Sequence, residues 1–441
     1  MKAMLKVLLP LLLLALATPV LARPLVNLNL DLDRTVLPAG QTVKAIIKVL
    51  LDVPQLENSS LRPPVNLTLV LDRSGSMAGA KLQKAKEAAI VALSRLGAQD
   101  LFSLVTYDHS VITLIPPQSA ANSEWITSRI RAITPGGNTA LFGAVSQGAA
   151  EIRKHLDDNY IHRIILLSDG LANVGPSSAS DLGRLGAALQ KEGISVTTIG
   201  IGDGFNEDLM TQLASHSDGN HYFVESSQDL PRIFASELGD VLSVAASRIR
   251  IEIDCLPGVR PLRIIGREGT IRGTGVQLRM NQLYSGQQKY ALIEVLIEPG
   301  IAGQQREIVQ VTSRYENAMT NKAEKIQRLA SINFSASHDE VRQSASRTVQ
   351  KAVVENEMAT ARDRALDLYN AGRKEDAVRE LQQSSDVLEA SSANLGFSDL
   401  AQKAKSLNKD AVEFSAPSIP SARKKELRSE SYQVRKQQKA H

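Results

Sequence analysis

Along the chain the spacing of apolar and polar positions changes several times, and each texture predicts a different kind of element. Over residues 26–50, Val26, Leu28, Leu30 and Leu32 alternate with polar neighbours. The run then turns at Leu37-Pro38-Ala39-Gly40 before a second β-rich stretch over 43–51. A period of two is that of a strand with one buried face. Arg62-Pro63-Pro64 closes this stretch. From there, apolar runs at 65–71, 102–106, 163–167 and 195–201 alternate with helical stretches at 80–96, 124–133, 141–154, 181–191, 207–215 and 230–242. Short strands are predicted at 111–115 and 221–224. Apolar strands interleaved with amphipathic helices predict the α/β class, with a doubly wound, mostly parallel sheet covered on both faces. Such sheets hold ligands outside the carboxyl ends of their strands.

The strand period returns at 248–253, 276–280, 290–297 and 308–311, between turns bearing glycine and proline. Neither the leading strands nor the trailing ones make a core alone. Together they predict one β-sandwich from residues 23–62 and 244–316, with the α/β domain of 63–243 inserted between them. Residues 323–410 read as helical. A helical hairpin over 358–393 breaks at Asn370-Ala371-Gly372, with Ala365, Leu368, Tyr369, Ala377, Leu381 and Leu388 as its apolar stripe. One hairpin resembles a single tetratricopeptide-like unit, and an array needs about three. The stripe is therefore assigned to packing within its own domain. Pro417 and Pro420 mark a linker, and 411–441 reads as that linker followed by a basic, disordered tail.

Composition narrows the function classes. Of 441 residues one is cysteine, so no internal disulfide and no cysteine-based metal centre can form. Aromatics are 4%, too few for a stacking platform on single-stranded nucleic acid. A pI near 9.0 suggests an anionic partner until the charge is located. Lys2 and Lys6 lie in residues 1–22, where an apolar run and Val20-Leu21-Ala22 have the order of a secretory signal peptide. The run is too short, and broken by Pro10 and Pro19, for a membrane span. Seven cations and two acids lie in residues 421–441. Leader and tail together carry more than the net +4, leaving residues 23–420 at −3. The mature body is thus mildly acidic, which argues against nucleic acid. Weak contact of the tail with an anionic surface is the one use left for its charge. The chain is expected to be exported, to the periplasm or the cell surface, with no transmembrane span once the leader is removed.

The chemistry sits at three strand ends. Asp72-x-Ser74-x-Ser76 follows the apolar run 65–71, and alternation lets three oxygen-bearing side chains converge on one point. Taken singly it is also an ordinary helix N-cap loop. Gly136-Gly137-Asn138-Thr139 precedes the helix at 141–154, and Ser168-Asp169-Gly170 ends the most apolar strand. Asp72, Ser74, Ser76, Thr139 and Asp169 make a set of two carboxylates and three hydroxyls. Hard oxygens suit Mg²⁺, Mn²⁺ or Ca²⁺ and suit zinc or copper poorly. Gly200-Ile201-Gly202-Asp203-Gly204 fits neither a dinucleotide fingerprint nor a P-loop and reads as a turn. His109, His216 and His221 read as surface histidines, Cys255 as a small buried hydrophobe and Trp125 as a packing residue.

These three motifs, in this order, resemble the von Willebrand factor type A (VWA) domain with its metal-ion-dependent adhesion site. The resemblance covers 65–242, and the flanking strands look like those of bacterial secreted relatives. It implies direct coordination of a divalent cation, Mg²⁺ first, by Ser74, Ser76 and Thr139. Asp72 and Asp169 would act through bound water, and one position would be left for a partner's Asp or Glu. The partner would meet the rim around Asp72, Gly137 and Gly170. The expected function is non-enzymatic: adhesion-type capture of a protein. The rivals are a metal-dependent hydrolase, for which no general base stands out, and a structural assembly protein binding through its C-terminal helices.

Overall fold

The computed structural model describes residues 24–56, 62–157, 159–170, 174–395 and 398–438. The leader assigned to 1–22 lies outside the described residues. Strands β1 (Asn27–Leu32), β2 (Val36–Pro38) and β3 (Val43–Asp52) come first. The α/β unit follows, with strands β4 (Val65–Asp72), β5 (Leu101–Tyr107), β6 (Val111–Ser119), β7 (Ile161–Ser168), β8 (Ile194–Ile201) and β9 (His221–Val224). Its helices are α1 (Ala80–Ser94), α2 (Ser123–Arg131), α3 (Leu141–Arg153), α4 (Ala179–Lys191), α5 (Glu207–Ser217) and α6 (Leu230–Leu242).

The sheet order is β6-β5-β4-β7-β8-β9, and every pair is parallel except β5 with β6. β4, β7 and β8 are buried at every position, as strands covered on both faces must be. On one face Leu67, Leu69 and Leu71 pack with Leu82 and Ala85 of α1 and Phe234 and Leu238 of α6. On the other, Val70, Ile164 and Leu166 pack with Val145 of α3, Leu182 of α4 and Leu209 of α5. At about 1.5–3 kcal/mol for each fully buried aliphatic side chain, these two layers fix the sheet and the loops at its carboxyl end.

After the α/β unit come β10 (Val244–Cys255), β11 (Val259–Ile265), β12 (Thr270–Arg272), β13 (Gly275–Tyr284), β14 (Gln288–Ile297), β15 (Gln305–Asn317) and β16 (Lys322–Ser335). They form two sheets with the leading strands, in orders β1-β3-β14-β11 and β12-β13-β10-β15-β16-β2. Val49, Ile47 and Ile293 of the first pack on Ile251, Ile253 and Val311 of the second, closing a β-sandwich around the insertion. Arg163 of β7 joins the two units. It is fully buried and donates to Gln282 Oε1 (2.5 Å), Tyr284 Oη (2.8 Å) and Thr197 Oγ1 (3.0 Å), with Glu237 at 3.4 Å.

The C-terminal helices are α7 (His338–Gln343), α8 (Arg347–Asn370), α9 (Lys374–Leu395), α10 (Ser398–Ser415) and α11 (Ser421–Lys436). Two expectations are corrected here. Residues 322–335 are strand, not the start of the helical region: Ala, Glu, Lys, Gln, Arg and Leu favour helix locally. Pairing with β15 overrides that preference and buries Ile326, Ala330, Ile332 and Phe334 on one face. Residues 421–436 are a docked helix, not a disordered tail. Leu427 and Tyr432 are buried, and Arg428 pairs with Asp208 (2.8 Å), Asp363 (3.1 Å) and Asp367 (2.5 Å). Much of the charge offered to an anionic surface is thus engaged within the chain, by acids too distant in sequence for local charge arithmetic to find. Two single residues also differ. His221 is buried in β9 rather than on the surface, and Trp125 is 47% exposed, with Arg129 over its ring at 5.8 Å.

Candidate metal site

β4, β7 and the α3 approach end side by side, and their loops meet above the sheet. Asp72 ends β4 fully buried. Its Oδ1 accepts from the Ser74 N–H (2.8 Å) and its Oδ2 from the Ser168 hydroxyl (2.8 Å). Burial pushes the Asp72 carboxyl up from its ordinary value, against the pull of these hydrogen bonds. Ser74 Oγ and Ser76 Oγ share a hydrogen bond at 3.1 Å, and the Ser76 hydroxyl donates to Asp169 Oδ1 at 2.7 Å. Thr139 is buried beside them. A Cβ placed on Gly170 would lie 3.1 Å from Thr139 Oγ1 and 3.8 Å from Ser76 Oγ, so the glycine keeps open a cradle between these two hydroxyls. All five residues singled out in the sequence are therefore gathered in one place.

The loops are tied to each other by backbone. Gly75 N–H donates to Gly137 O (3.0 Å) and Gly136 N–H to Arg73 O (2.6 Å). Asp108, beyond the end of β5, accepts from Ser110 N–H (2.7 Å) and pairs with Arg73 (2.7 Å). Although burial opposes it, Ser110 and Arg73 hold the Asp108 carboxyl below its ordinary value. At the surface lie Gly75, Ser76, Gly136, Gly137 and Asn138, with Gly170 half-buried, while Asp72 is beneath them. Of the residues expected at the rim, Gly137 is exposed and Gly170 half-buried, whereas Asp72 lies in the floor beneath them.

Sequence reading missed Lys81. Its ammonium stands 2.5 Å from Asp169 Oδ2, opposite the oxygen that takes the Ser76 hydroxyl. A lysine on the first turn of an amphipathic helix looks like any solvent-facing residue, and only the return of β7 brings Asp169 to it. A second unseen support comes from α11. Lys425, buried, donates to Phe205 O (2.6 Å) and Glu207 Oε2 (2.7 Å), and a Cβ on neighbouring Gly204 would come within 2.5 Å of Asp169 O. The C-terminal helix therefore braces the loop that backs Asp169.

The donor set is oxygen throughout. Among the described residues no three His, Cys, Asp or Glu side chains form a metal-binding cluster, so an ion here would depend on the hydroxyls. Three neutral hydroxyls, two anchored carboxylates and an open glycine cradle fit a hard divalent cation.

The von Willebrand factor type A domain model matches residues 66–236 of the chain. Residues 66–236 are a VWA domain. Such domains are protein-interaction modules. The chain is similar to the protein sll0103 of Synechocystis sp., at 27% identity over 266 residues, 58% of this chain and 62% of that one. It is also similar to inter-alpha-trypsin inhibitor heavy chain H2 of Sus scrofa, at 29% over 174 residues, 38% of this chain and 19% of that one. The chain thus spans less than two thirds of the length of either relative. Among solved structures, a von Willebrand factor type A protein from Catenulispora acidiphila shares the fold. Its TM-score is 0.66 at 18% identity, over 85% of this chain and 88% of that one. The ArnB paralog VWA2 from Sulfolobus acidocaldarius does so at 0.61 and 20%, over 92% and 99%. Both extend well beyond the VWA domain, so its setting among further strands and helices recurs with it.

Proposed function

We propose that the VWA domain captures an acidic side chain of a protein partner through a divalent cation, Mg²⁺ first, with Mn²⁺ and Ca²⁺ as alternatives. Ser74, Ser76 and Thr139 would hold the ion, with Asp72 and Asp169 behind them. When bound, the cation supplies a positive centre that three neutral hydroxyls leave largely uncompensated, so it favours a carboxylate from outside. The observation that carries this reading is the convergence of hydroxyls from two loops on the Gly170 cradle. Asp72 sets the floor through Ser168 and Ser74, and Asp169 orients Ser76. The ammonium of Lys81 shares Asp169 and lowers the negative charge that an ion would meet. We place this capture outside the cytoplasm, on the leader-like order of residues 1–22. The test is capture of envelope proteins on the immobilised chain in Mg²⁺ and in chelator. A partner retained only with Mg²⁺, and lost with Ser76→Ala, supports the reading. A partner retained equally in chelator contradicts it.

A further inference from the structure

The two outer faces of the β-sandwich are treated differently. α8 covers the four-stranded sheet, with Ala352 against Leu292 and Ile265. The outer face of the six-stranded sheet is open, and its exposed positions carry a row of cations. In the ladder Arg250 stands directly opposite Arg279 on one side and Arg314 on the other, and Arg314 stands opposite Lys325. Opposed residues share a face, so four exposed cations lie abreast across β13, β10, β15 and β16. At about 4.8 Å between strands the row is roughly 14 Å long.

Like charges directly opposite weaken strand pairing, so the fold alone does not account for three such juxtapositions in succession. Only Arg314 is compensated, by Glu252. Among the described residues, Arg250, Arg279 and Lys325 have no carboxylate within ion-pair distance. The positions beside the row are Gln277, Glu252, Thr312 and Gln327, where the Gln327 amide donates to Thr312 Oγ1 at 3.0 Å. At the β13 end the row opens into a cleft of about 370 Å³ that Arg279 shares with Arg272, Lys191, Arg267 and Lys436, against Asp218 and Glu268.

We propose that this face binds a linear acidic polysaccharide carrying carboxylate or sulfate groups, laid along the cation row and into the cleft. The row supplies charge at a strand's spacing, comparable to the length of one sugar unit. The exposed side-chain amides of Gln277 and Gln327 beside it match sugar hydroxyls. No aromatic side chain stands in either row, so the stacking that single-stranded nucleic acid uses is missing there. The site is separate from the ion site, and neither needs the other.

The test is fluorescence anisotropy of labelled heparin against the full chain over a salt series, with uncharged dextran and a DNA oligonucleotide as competitors. The wild type is expected to bind heparin with strong salt dependence and to ignore dextran. Arg250→Gln, Arg279→Gln and Lys325→Gln together should weaken binding by about tenfold or more and flatten the salt slope, because released counterions are fewer. The charge-keeping Arg250→Lys, Arg279→Lys variant should stay closer to wild type. Relieving opposed like charges should leave the melting temperature unchanged or raise it. Equal heparin affinity in wild type and the triple variant overturns the proposal. DNA displacing heparin more effectively than unlabelled heparin does overturns it in favour of a nucleic acid.

Discussion

His221 is wholly enclosed between β8 and α11, where its Nδ1 shares a hydrogen bond with Thr198 Oγ1 at 2.9 Å. Burial, and then the charge of Lys425, lowers its pKa to about 3. In the unfolded chain it titrates near about 6.5, so between these values the unfolded state binds more protons. The stability it confers is complete above about pH 6.5 and is lost as pH falls towards 3, by up to about 1.4 kcal/mol per pH unit. Urea unfolding near neutral pH and near pH 5 should show this loss, and His221→Gln should reduce it. At this scale the grouping of the candidate site's side chains was legible. Asp72, Ser74, Ser76, Thr139 and Asp169 sit in short motifs at strand ends, where chain-local spacing carries the meaning. Lys81, Ser168 and Asp108 were not, because each acquires its role from a partner brought by another strand.

Among elements, α11 departs furthest from its sequence. Its hydropathy is that of a solvated tail, yet Lys425, Arg428 and Tyr432 fix it to α5, α8 and the edge of β9. Tyr432 Oη donates to Gly219 O at 2.6 Å, and the Gln438 amide bonds both His221 N (3.1 Å) and His221 O (3.2 Å) as a further strand would. Acids at 207, 208, 363 and 367 hold this helix, and no window of sequence contains both sides. The apolar-run and helical textures of 65–242 were legible because the central strands are buried throughout and each helix buries one stripe. Lys425→Met should cost about 1–3 kcal/mol by leaving Glu207 and the Phe205 carbonyl without this donor. Hydrogen exchange should quicken across residues 202–209, and unchanged exchange there would show that α11 does not brace the loop behind Asp169.

For the whole molecule, insertion of one domain into another was readable because two strands before and several after the α/β unit each lack a core of their own. What could not be read was the join. Arg163 looks like one cation in an apolar strand, and its partners Gln282 and Tyr284 lie in the sandwich, while Glu237 lies on α6. Arg163→Met should destabilise the protein by about 3–5 kcal/mol in chemical denaturation, since it strands a buried carboxylate. The double variant Arg163→Met, Glu237→Gln should recover part of that loss.

The proposed capture depends above all on a cation being held where Ser74, Ser76 and Thr139 meet. Calorimetric titration of the full chain with Mg²⁺ and Mn²⁺, beside Ser76→Ala and Thr139→Val, tests it most directly. A saturable heat of one site per chain, abolished in both variants while their melting temperatures hold, is the predicted result. Equal heats in wild type and variants, or no saturable heat in the wild type, would contradict it.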